Sequence, residues 1–417
     1  MTIQYNNNSL YFDDIDISKI SNEIKTPYYL YSETTILKNL ESYTSQLGEL
    51  NSLICYSVKA NSNLSILSLF AKNNTGFDIV SGGELERVIH AGGDTNKVVF
   101  SGVGKTDDEI RFALKNNILC FNVESTGELY RINKVAESMG LVAEVSLRVN
   151  PEIDPKTHPY ITTGLSENKF GISHDEILQL FISAKELTSV NVCGIDYHIG
   201  SQILELKPFV DSAKKVKSLV DKLHQNGITL NHVDIGGGLG ISYNNEATIT
   251  RKEYVKELID IFKDYEFKII LEPGRSLVGD AGILVTKVVE IKSNSIGKNF
   301  LVVDAGMNDL LRPPLYNAYH DILESKVINK KSVMYDVVGP ICETADFLGK
   351  ERQLKTDIGE LIIIKDTGAY GFVLSSNYNS RPKCGEYIIK NGTVKCIRSR
   401  EELTDIFGDE KEHLNTT

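Results

Sequence analysis

The sequence predicts an α/β protein, with a (β/α)8 TIM-type barrel followed by a mostly β C-terminal domain. Between about residues 50 and 275, short β-branched runs alternate with segments whose apolar residues recur every three to four positions. This alternation is typical of βα units around a parallel sheet. Eight such units favour a closed barrel over an open sheet. After Gly279, strand-like runs follow one another with few helical intervals.

Each element of the barrel has a local signature. Helices that cover the sheet are expected at 177–187, 209–223 and 254–262. Further helix starts are indicated by capping boxes, in which a hydroxyl and a carboxylate three residues later satisfy each other's backbone amides. These boxes are expected at Ser81–Glu84, Thr106–Glu109 and Ser125–Glu128. The strands are expected at 54–58, 77–80, 98–101, 120–123, 143–149, 192–198, 232–235 and 268–271.

The remaining segments suggest a second, discontinuous domain. Residues 9–12 could add a strand to it, and the charged tail from Gly408 is expected to be loosely ordered. We therefore predict a barrel over 26–280 and a β-rich domain formed by 1–25 and 281–417. Strands of the second domain are expected at 283–291, 300–304, 333–338, 361–366 and 387–390.

Composition narrows the class of protein. The chain has 417 residues, of which 41% are hydrophobic and 24% charged, which describes a soluble protein with more than one core. The net charge of −11 argues against nucleic acid or an anionic membrane as a partner. We find no signal peptide and no run of about eighteen apolar residues, so a cytoplasmic location is expected. The six cysteines are scattered, so we expect free thiols and no metal site.

Four polar segments each follow a predicted strand: Lys59, His198, the glycine run 236–240 and Glu272. In a barrel, catalytic residues lie where strands end, and the loops after strands seven and eight often bind phosphate. We therefore expect all four segments, and Asp78 from strand two, to meet at one mouth.

Each segment has an ordinary structural explanation and a possible chemical role. A strand-end lysine is often merely solvated, but Lys59 among apolar strands would have its amine pKa lowered by desolvation, as Schiff-base chemistry requires. Glycines often only make turns, but here their bare amides can approach a phosphate. Glu272 is either a capping acid or the partner of a pyridine nitrogen. His198 is either a core histidine or a flat ring against a cofactor. Together they predict pyridoxal 5'-phosphate as cofactor.

An ordered set of motifs resembles the fold-type III, alanine-racemase-like pyridoxal phosphate decarboxylases over residues 26–407. The motifs are YSVKAN at 56–61, FDIVSGGEL at 77–85, KFGI at 169–172, HIGSQ at 198–202, GGGLG at 236–240, EPGR at 272–275, RPPLY at 312–316, GPICET at 339–344 and GAY at 368–370.

The resemblance implies a role for each matching residue. Lys59 would carry the cofactor as a Schiff base, His198 would stack on its ring and Glu272 would pair with its ring nitrogen. Asp78 would either orient the Schiff-base groups or be structural. Cofactor contacts are implied at Lys59, Asp78, His198, Ser201, Gly236, Gly237, Gly238, Gly240, Glu272, Pro273, Gly274, Arg275 and Tyr370.

The resemblance also implies a homodimer whose active sites are shared across the interface, with the segment Cys342–Glu343 arriving from the other subunit. Cys342 is either an inert buried thiol or the donor that protonates the substrate carbanion. The β-rich domain would then complete the active site, and both subunits would be needed for catalysis.

The substrate follows from charge. A fork of arginine donors suits a distal carboxylate, and an acid suits a distal ammonium. Ornithine decarboxylases of this fold bind only an amine and do not need Arg312. Together with these charges, the resemblance implies decarboxylation of meso-2,6-diaminopimelate to L-lysine and carbon dioxide, the last step of lysine biosynthesis. Substrate contacts are expected at Arg275, Arg312, Tyr316, Glu343 and Tyr370.

Other functions remain open at this stage. A racemase on the same barrel would favour a base such as arginine in place of Glu272. A related decarboxylase acting on carboxynorspermidine or a D-amino acid is a nearer alternative. A cofactor carrier or a non-catalytic regulator would be expected to lack the second domain or Lys59. The loop 160–168 has the glycine and polar content of a lid.

Overall fold

The computed structural model describes residues 3–48, 50–154, 169–411 and 413–414. The chain folds into two units, each with its own packed interior. The barrel unit comprises 40–241 and 247–276, and the β-rich unit comprises 1–39, 242–246 and 277–417. The loop 160–168, considered above as a lid, lies outside the described residues.

The chain begins with short strands that form a small sheet, continues with one strand of a larger sheet and enters a helix. The small three-stranded sheet has the order β1-β2-β3. The elements are β1 Ile3–Asn6, β2 Ser9–Phe12, β3 Ile15–Asp16, α1 Ile17–Ile20, β4 Tyr28–Ser32 and α2 Glu33–Leu47.

The barrel unit alternates strands and helices, as the sequence predicts. Its strands are β5 Ser52–Ser57, β6 Gly76–Ile79, β7 Val98–Phe100, β8 Cys120–Val123, β9 Ala143–Asn150, β10 Ile172–Ser173, β11 Val190–Asp196, β12 His232–Asp234 and β13 Lys268–Leu271. Its helices are α3 Leu64–Lys72, α4 Gly82–His90, α5 Asp107–Lys115, α6 Thr126–Met139, α7 His174–Ala184, α8 Leu206–Gln225 and α9 Arg251–Phe262, and α10 Arg275–Val278 begins where this unit ends.

The eight-stranded barrel is confirmed. All neighbouring strands from β5 to β9 and from β11 to β13 pair in parallel. The ring closes because β9 pairs with β11 and β13 pairs with β5. The two-residue strand β10 is added beside β9. The polar ends of β5, β11, β12 and β13 therefore lie at the same mouth.

The β-rich unit is built on a second sheet of nine strands, in which β4 lies between β14 and β20. The five strands predicted after Gly279 are present, whereas β4, β16, β18 and β21 were not predicted. Residues 28–32, which we had grouped with the barrel, pair with strands of this sheet. The elements are β14 Gly282–Ser293, β15 Asn299–Val303, α11 Arg312–Tyr316, β16 Ile322–Glu324, β17 Val333–Val338, β18 Phe347–Leu354, β19 Leu361–Ile364, β20 Gly385–Lys390, β21 Thr393–Arg398 and α12 Leu403–Lys411.

Two local expectations need adjustment. The predicted strand 9–12 exists as β2, but it pairs within the small sheet, and Leu10 N–H donates to the Ser325 carbonyl at 2.8 Å. Helix α12 runs through Gly408 to Lys411, so a loosely ordered tail does not begin at Gly408. An apolar cluster holds the β-rich unit together, and it includes Leu10, Phe12, Leu30, Ile283, Ile363 and Ile389.

Candidate active site

Lys59 is held by polar neighbours at the end of the first barrel strand. It lies in a single helical turn after β5, and its Nζ donates a hydrogen bond to Oδ2 of Asp78 in β6. The Asp78 side chain is fully buried. Ser57 Oγ also donates to Asp78 Oδ2, at 2.8 Å. Asp78 therefore fixes the direction of the Lys59 amine.

Lys59 is less buried than its position among apolar strands suggests. We expected desolvation to favour the neutral amine. However, 36% of the Lys59 side chain is exposed, and its Nζ contacts the Asp78 carboxylate. The expected lowering of its pKa stays a prediction.

Glu272 follows β13 and is buried inside the mouth. Its Oε1 accepts hydrogen bonds from Ser101 Oγ and Asn122 Nδ2, both at 3.3 Å. Ser57 Oγ lies 2.9 Å from the Glu272 carbonyl oxygen. One polar network thus connects the surroundings of Lys59 with those of Glu272. No local pattern in the sequence marks Ser101 or Asn122, which lie just after β7 and inside β8.

Two further carboxylates lie beside Glu272, and the sequence reasoning missed both. Asp196 ends β11 and Asp234 ends β12, and oxygens of the three acids lie within 4.8 Å of one another. Asp196 Oδ1 and Asp234 Oδ2 are buried without a hydrogen-bond partner among the described residues. The sequence did contain a signal for both residues, because each aspartate ends an apolar run.

Burial and mutual repulsion set the protonation of these acids. Burial, reinforced by Asp234, raises the pKa of Glu272. Burial also raises the pKa of Asp234, to about 6, although the Gly236 N–H that binds it acts in the opposite direction. Three carboxylates this close do not all ionise. The trio therefore keeps at least one proton.

Arg148 places a buried positive charge in the same unit. Its Nη1 donates to Glu124 Oε1 at 2.7 Å, and its Nε lies 3.7 Å from Asp196 Oδ2. The Asp196 pKa is nevertheless raised, because burial and the charge of Asp234 outweigh the attraction of Arg148.

His198 lies two residues beyond β11 and has a neutral ring. Burial lowers its pKa, and the positive charges of Arg148 and Lys59 lower it further. Gly237 N–H donates to Nδ1 at 3.2 Å, so the ring proton is on Nε2. A neutral imidazole fixed by a backbone bond is suited to stacking on an aromatic ring.

The glycines in the run after β12 occupy positions with no room for a side chain. A Cβ on Gly237 would lie 2.2 Å from the Glu272 carbonyl oxygen, and one on Gly238 would lie 2.3 Å from the Gly200 carbonyl oxygen. Gly238 also has φ +107°, which favours glycine. A backbone without side chains can approach phosphate oxygens closely.

The EPGR segment packs against the turn that carries Lys59. The Pro273 carbonyl accepts the Ser57 N–H at 3.2 Å, and a Cβ on Gly274 would lie 3.0 Å from the Ser57 Cβ. Arg275 is buried, and its Nη2 donates to Ser201 Oγ at 3.0 Å. The hydroxyl of Ser201, an implied cofactor contact, is therefore paired with the guanidinium of Arg275, an expected substrate contact.

The β-rich unit carries the other predicted site residues. Arg312 begins α11 and is buried. Cys342 and Glu343 are exposed in the single chain; Cys342 N–H donates to Asn379 Oδ1 at 2.9 Å, and Glu343 accepts the Tyr378 hydroxyl. The exposure of Cys342 argues against an inert buried thiol. Tyr316 and Tyr370 are half-buried, and Tyr370 has φ +56°.

The barrel residues fit pyridoxal phosphate by their chemistry. Lys59 offers an amine, the acids around Glu272 offer a proton, and the glycine run offers a backbone where added side chains would collide with neighbouring carbonyls. One carboxylate oxygen of Asp196 and one of Asp234 are buried without a hydrogen-bond partner among the described residues. Such oxygens would be unfavourable if the ligand beside them were entirely apolar. Fold and site together define a barrel that binds pyridoxal phosphate.

Comparison with known proteins gives the family. A model of the pyridoxal-binding domain of pyridoxal-dependent decarboxylases matches residues 33–279. Two similar curated proteins are the diaminopimelate decarboxylases of Vibrio cholerae, 47% identical over 95% of each chain, and Haemophilus influenzae, 47% identical over 97% of this chain and 98% of that protein. The chain belongs to the pyridoxal-dependent decarboxylases, and within them to the diaminopimelate decarboxylase family.

A solved structure agrees with this assignment. Diaminopimelate decarboxylase from Helicobacter pylori, complexed with L-lysine, matches with a TM-score of 0.92 and 44% identity, over 96% of this chain and 100% of that chain. In the described part of the chain, none of the helices is both long and apolar enough to span a membrane.

Proposed function

We propose that this chain decarboxylates meso-2,6-diaminopimelate to L-lysine and carbon dioxide, the last step of lysine biosynthesis. The observation that carries the proposal is the amine of Lys59, oriented by Asp78 in the mouth that also contains Glu272 and the glycine run. The names of the relatives and the L-lysine in the Helicobacter pylori complex support the choice of substrate.

Bound pyridoxal phosphate supplies an electron sink for the electron pair that remains when carbon dioxide leaves. Lys59 would anchor the cofactor through its amine, and Asp78 would keep that amine in place. Glu272 would hold a proton for the ring nitrogen and act as its counter-ion, and His198 would support the ring face. Burial of Asp78 and Glu272 keeps water from competing with these two carboxylates.

The phosphate would be bound by the backbone of the glycine run, assisted by Ser201 Oγ and by the Gly274–Arg275 backbone. A bare backbone can approach phosphate oxygens closely, and the Ser201 hydroxyl is already directed by Arg275. Tyr370 is assigned to the cofactor through the family resemblance.

The substrate-binding groups are assigned by charge. Arg275, Arg312 and Tyr316 would bind the distal carboxylate, and Glu343 the distal ammonium. Cys342 would deliver a proton to the carbon that loses carbon dioxide. In this proposal the Cys342–Glu343 segment acts on the active site of a partner subunit, so the enzyme is a homodimer, and it works in the cytoplasm.

The proposal predicts a specific pattern of carbon dioxide release. Purified protein supplied with pyridoxal phosphate should release carbon dioxide from meso-diaminopimelate and far less from lysine or ornithine, because only the first has a distal carboxylate for Arg312. Lys59→Ala should release none, whereas Lys72→Ala, at an exposed lysine, should behave like the unaltered protein. Equal turnover of the three substrates, or full activity of Lys59→Ala, would contradict the proposal.

A further inference from the structure

Arg312 is held by two side chains that no sequence motif identifies. Its Nη1 donates hydrogen bonds to the Tyr243 hydroxyl at 2.8 Å and to His320 Nε2 at 3.2 Å. The guanidinium carbon lies 4.7 Å from the centre of the Tyr243 ring, and the rings of Tyr243 and His320 meet edge to face at 5.1 Å. We call these three residues, all within the β-rich unit, the arginine cluster.

The contacts of His320 determine its tautomer. Its Nδ1 lies 2.8 Å from the Lys365 carbonyl oxygen, which only accepts hydrogen bonds, so Nδ1 must carry a hydrogen. Arginine only donates, so Nε2 facing Arg312 must be bare. Both constraints agree on a neutral ring protonated at Nδ1. The backbone of Lys365 thereby fixes an acceptor in front of Arg312.

The arginine cluster orients a buried charge through two neutral partners. All three side chains are buried, with exposures of 6% for Arg312, 8% for Tyr243 and 0% for His320. A free arginine side chain samples many rotamers and loses that freedom on binding a ligand, whereas a guanidinium that is already oriented loses less. The Tyr243 hydroxyl and the His320 nitrogen are both neutral, so neither of these two bonds cancels the positive charge of Arg312.

We propose that His320 and Tyr243 are positioning residues that hold Arg312 in the orientation that recognises the distal carboxylate of the substrate. The inference rests on the proposed function, because it takes Arg312 as the residue that binds this carboxylate. His320 contributes the backbone-anchored acceptor, and Tyr243 contributes a second acceptor and the ring face. Selectivity for the distal carboxylate therefore depends on both residues through Arg312.

Two substitutions separate the two hydrogen bonds of His320. The amide of His320→Asn can occupy the position of Nδ1 and donate to the Lys365 carbonyl, but it is too short to reach Arg312. The amide oxygen of His320→Gln can occupy the position of Nε2 and accept from Arg312. Tyr243→Phe keeps the ring over the guanidinium and removes only the hydroxyl.

Steady-state release of carbon dioxide from meso-diaminopimelate tests the proposal. His320→Asn and Tyr243→Phe should each lower kcat/KM about tenfold or more, mainly by raising KM, since each removes a hydrogen bond to a charged group. His320→Gln should stay within about threefold of the unaltered protein. Equal activity of His320→Asn and His320→Gln would overturn the role of His320.

The same substitutions made in an Arg312→Lys protein distinguish a role in positioning Arg312 from a general loss of structure. In Arg312→Lys, where the guanidinium is absent, His320→Asn and Tyr243→Phe should change kcat/KM by less than about twofold. Losses of equal size in both backgrounds would overturn the inference and leave the proposed function intact. If the unaltered protein released no carbon dioxide, the proposed function would fail, and this inference with it. If His320→Asn does not fold, Tyr243→Phe provides the same comparison.

Discussion

Asp309 is a buried acid in the β-rich unit whose ionisation opposes folding. Its side chain is 1% exposed and accepts the Gly306 N–H at 3.0 Å. Burial raises its pKa to about 6, although the Gly306 N–H and the charges of Arg381 and Arg400 act in the opposite direction. In the unfolded chain an aspartate titrates near about 3.9. The folded protein therefore keeps a proton that the unfolded chain has already released.

Asp309→Asn should make the protein less sensitive to rising pH. The stability that the protonated acid contributes is fully present below about pH 3.9 and is lost as the pH rises through about 6. Between pH 5 and pH 7.5 the unaltered protein should lose about 1 kcal/mol more free energy of unfolding than Asp309→Asn. Urea unfolding at the two pH values measures this difference.

The same comparison at exposed Asp264 controls for the loss of one negative charge. Asp264→Asn should follow the pH dependence of the unaltered protein. Parallel pH dependences for Asp309→Asn and the unaltered protein would show that Asp309 is already ionised when folded.

At this scale the sequence identifies residues that end an apolar run, such as Lys59 and Glu272. It does not identify Ser101 or Asn122, because their partners come from other strands and become neighbours only when the barrel closes. His320 is harder still to identify from the sequence, because no motif marks it. Its proposed role depends on a backbone carbonyl 45 residues away. Which protonation state each acid adopts also depends on burial that a linear sequence does not contain.

At the scale of elements, helix starts are well encoded. Ser81, Thr106 and Ser125 each cap a helix, as predicted. Of these three predicted boxes, only the one at Thr106 is reciprocal, with the Glu109 carboxylate accepting the Thr106 N–H at 2.9 Å. In the other two helices, the glutamate accepts the N–H of the residue before the cap. The prediction of reciprocal boxes was therefore wrong for these two, because spacing alone does not fix which amide the carboxylate reaches.

Thr106→Ala should destabilise the protein by about 1 kcal/mol, because it removes the cap of α5 and one partner of Glu109. The matched control is Thr44→Ala on the exposed face of α2, where the hydroxyl bonds to the Glu41 carbonyl of its own helix. That control should change stability little. Urea unfolding of both variants gives the comparison, and equal midpoints would contradict the capping argument.

The strands that were missed have weak or misleading patterns. β18 reads FLGKERQL, which contains three charged residues, and β16 has only three residues. β4 is apolar and easy to recognise as a strand, but its position just before α2 suggested membership of the barrel. Its real partners, β14 and β20, lie about 250 or more residues away, and no local pattern reports such a pairing.

At the scale of the whole molecule, β4 joins the two ends of the chain in one sheet. Leu30 pairs with Ile283 in antiparallel β14 and with Tyr387 in parallel β20. Its side chain is fully buried in the apolar cluster of the β-rich unit. Leu30→Ala should lower the free energy of unfolding by about 2–5 kcal/mol, because it leaves a cavity in that cluster.

Urea unfolding measures this loss, and hydrogen exchange should show faster opening of the amides in 385–390. Leu141→Ala, at a residue that is 38% exposed, is the control and should cost much less. Similar losses for the two variants would mean that β4 is not a central support of the sheet.

The central place of β4 also has a consequence for biosynthesis. All five of its residues are buried in the finished protein, yet it leaves the ribosome about 250 residues before β14. At roughly 5–20 residues per second, this interval lasts on the order of tens of seconds. Throughout that time the nascent strand has neither neighbour and exposes a row of tyrosines with open edges. A chaperone that meets this chain early in translation should therefore bind residues 28–32 and release them only once the last strands have been made.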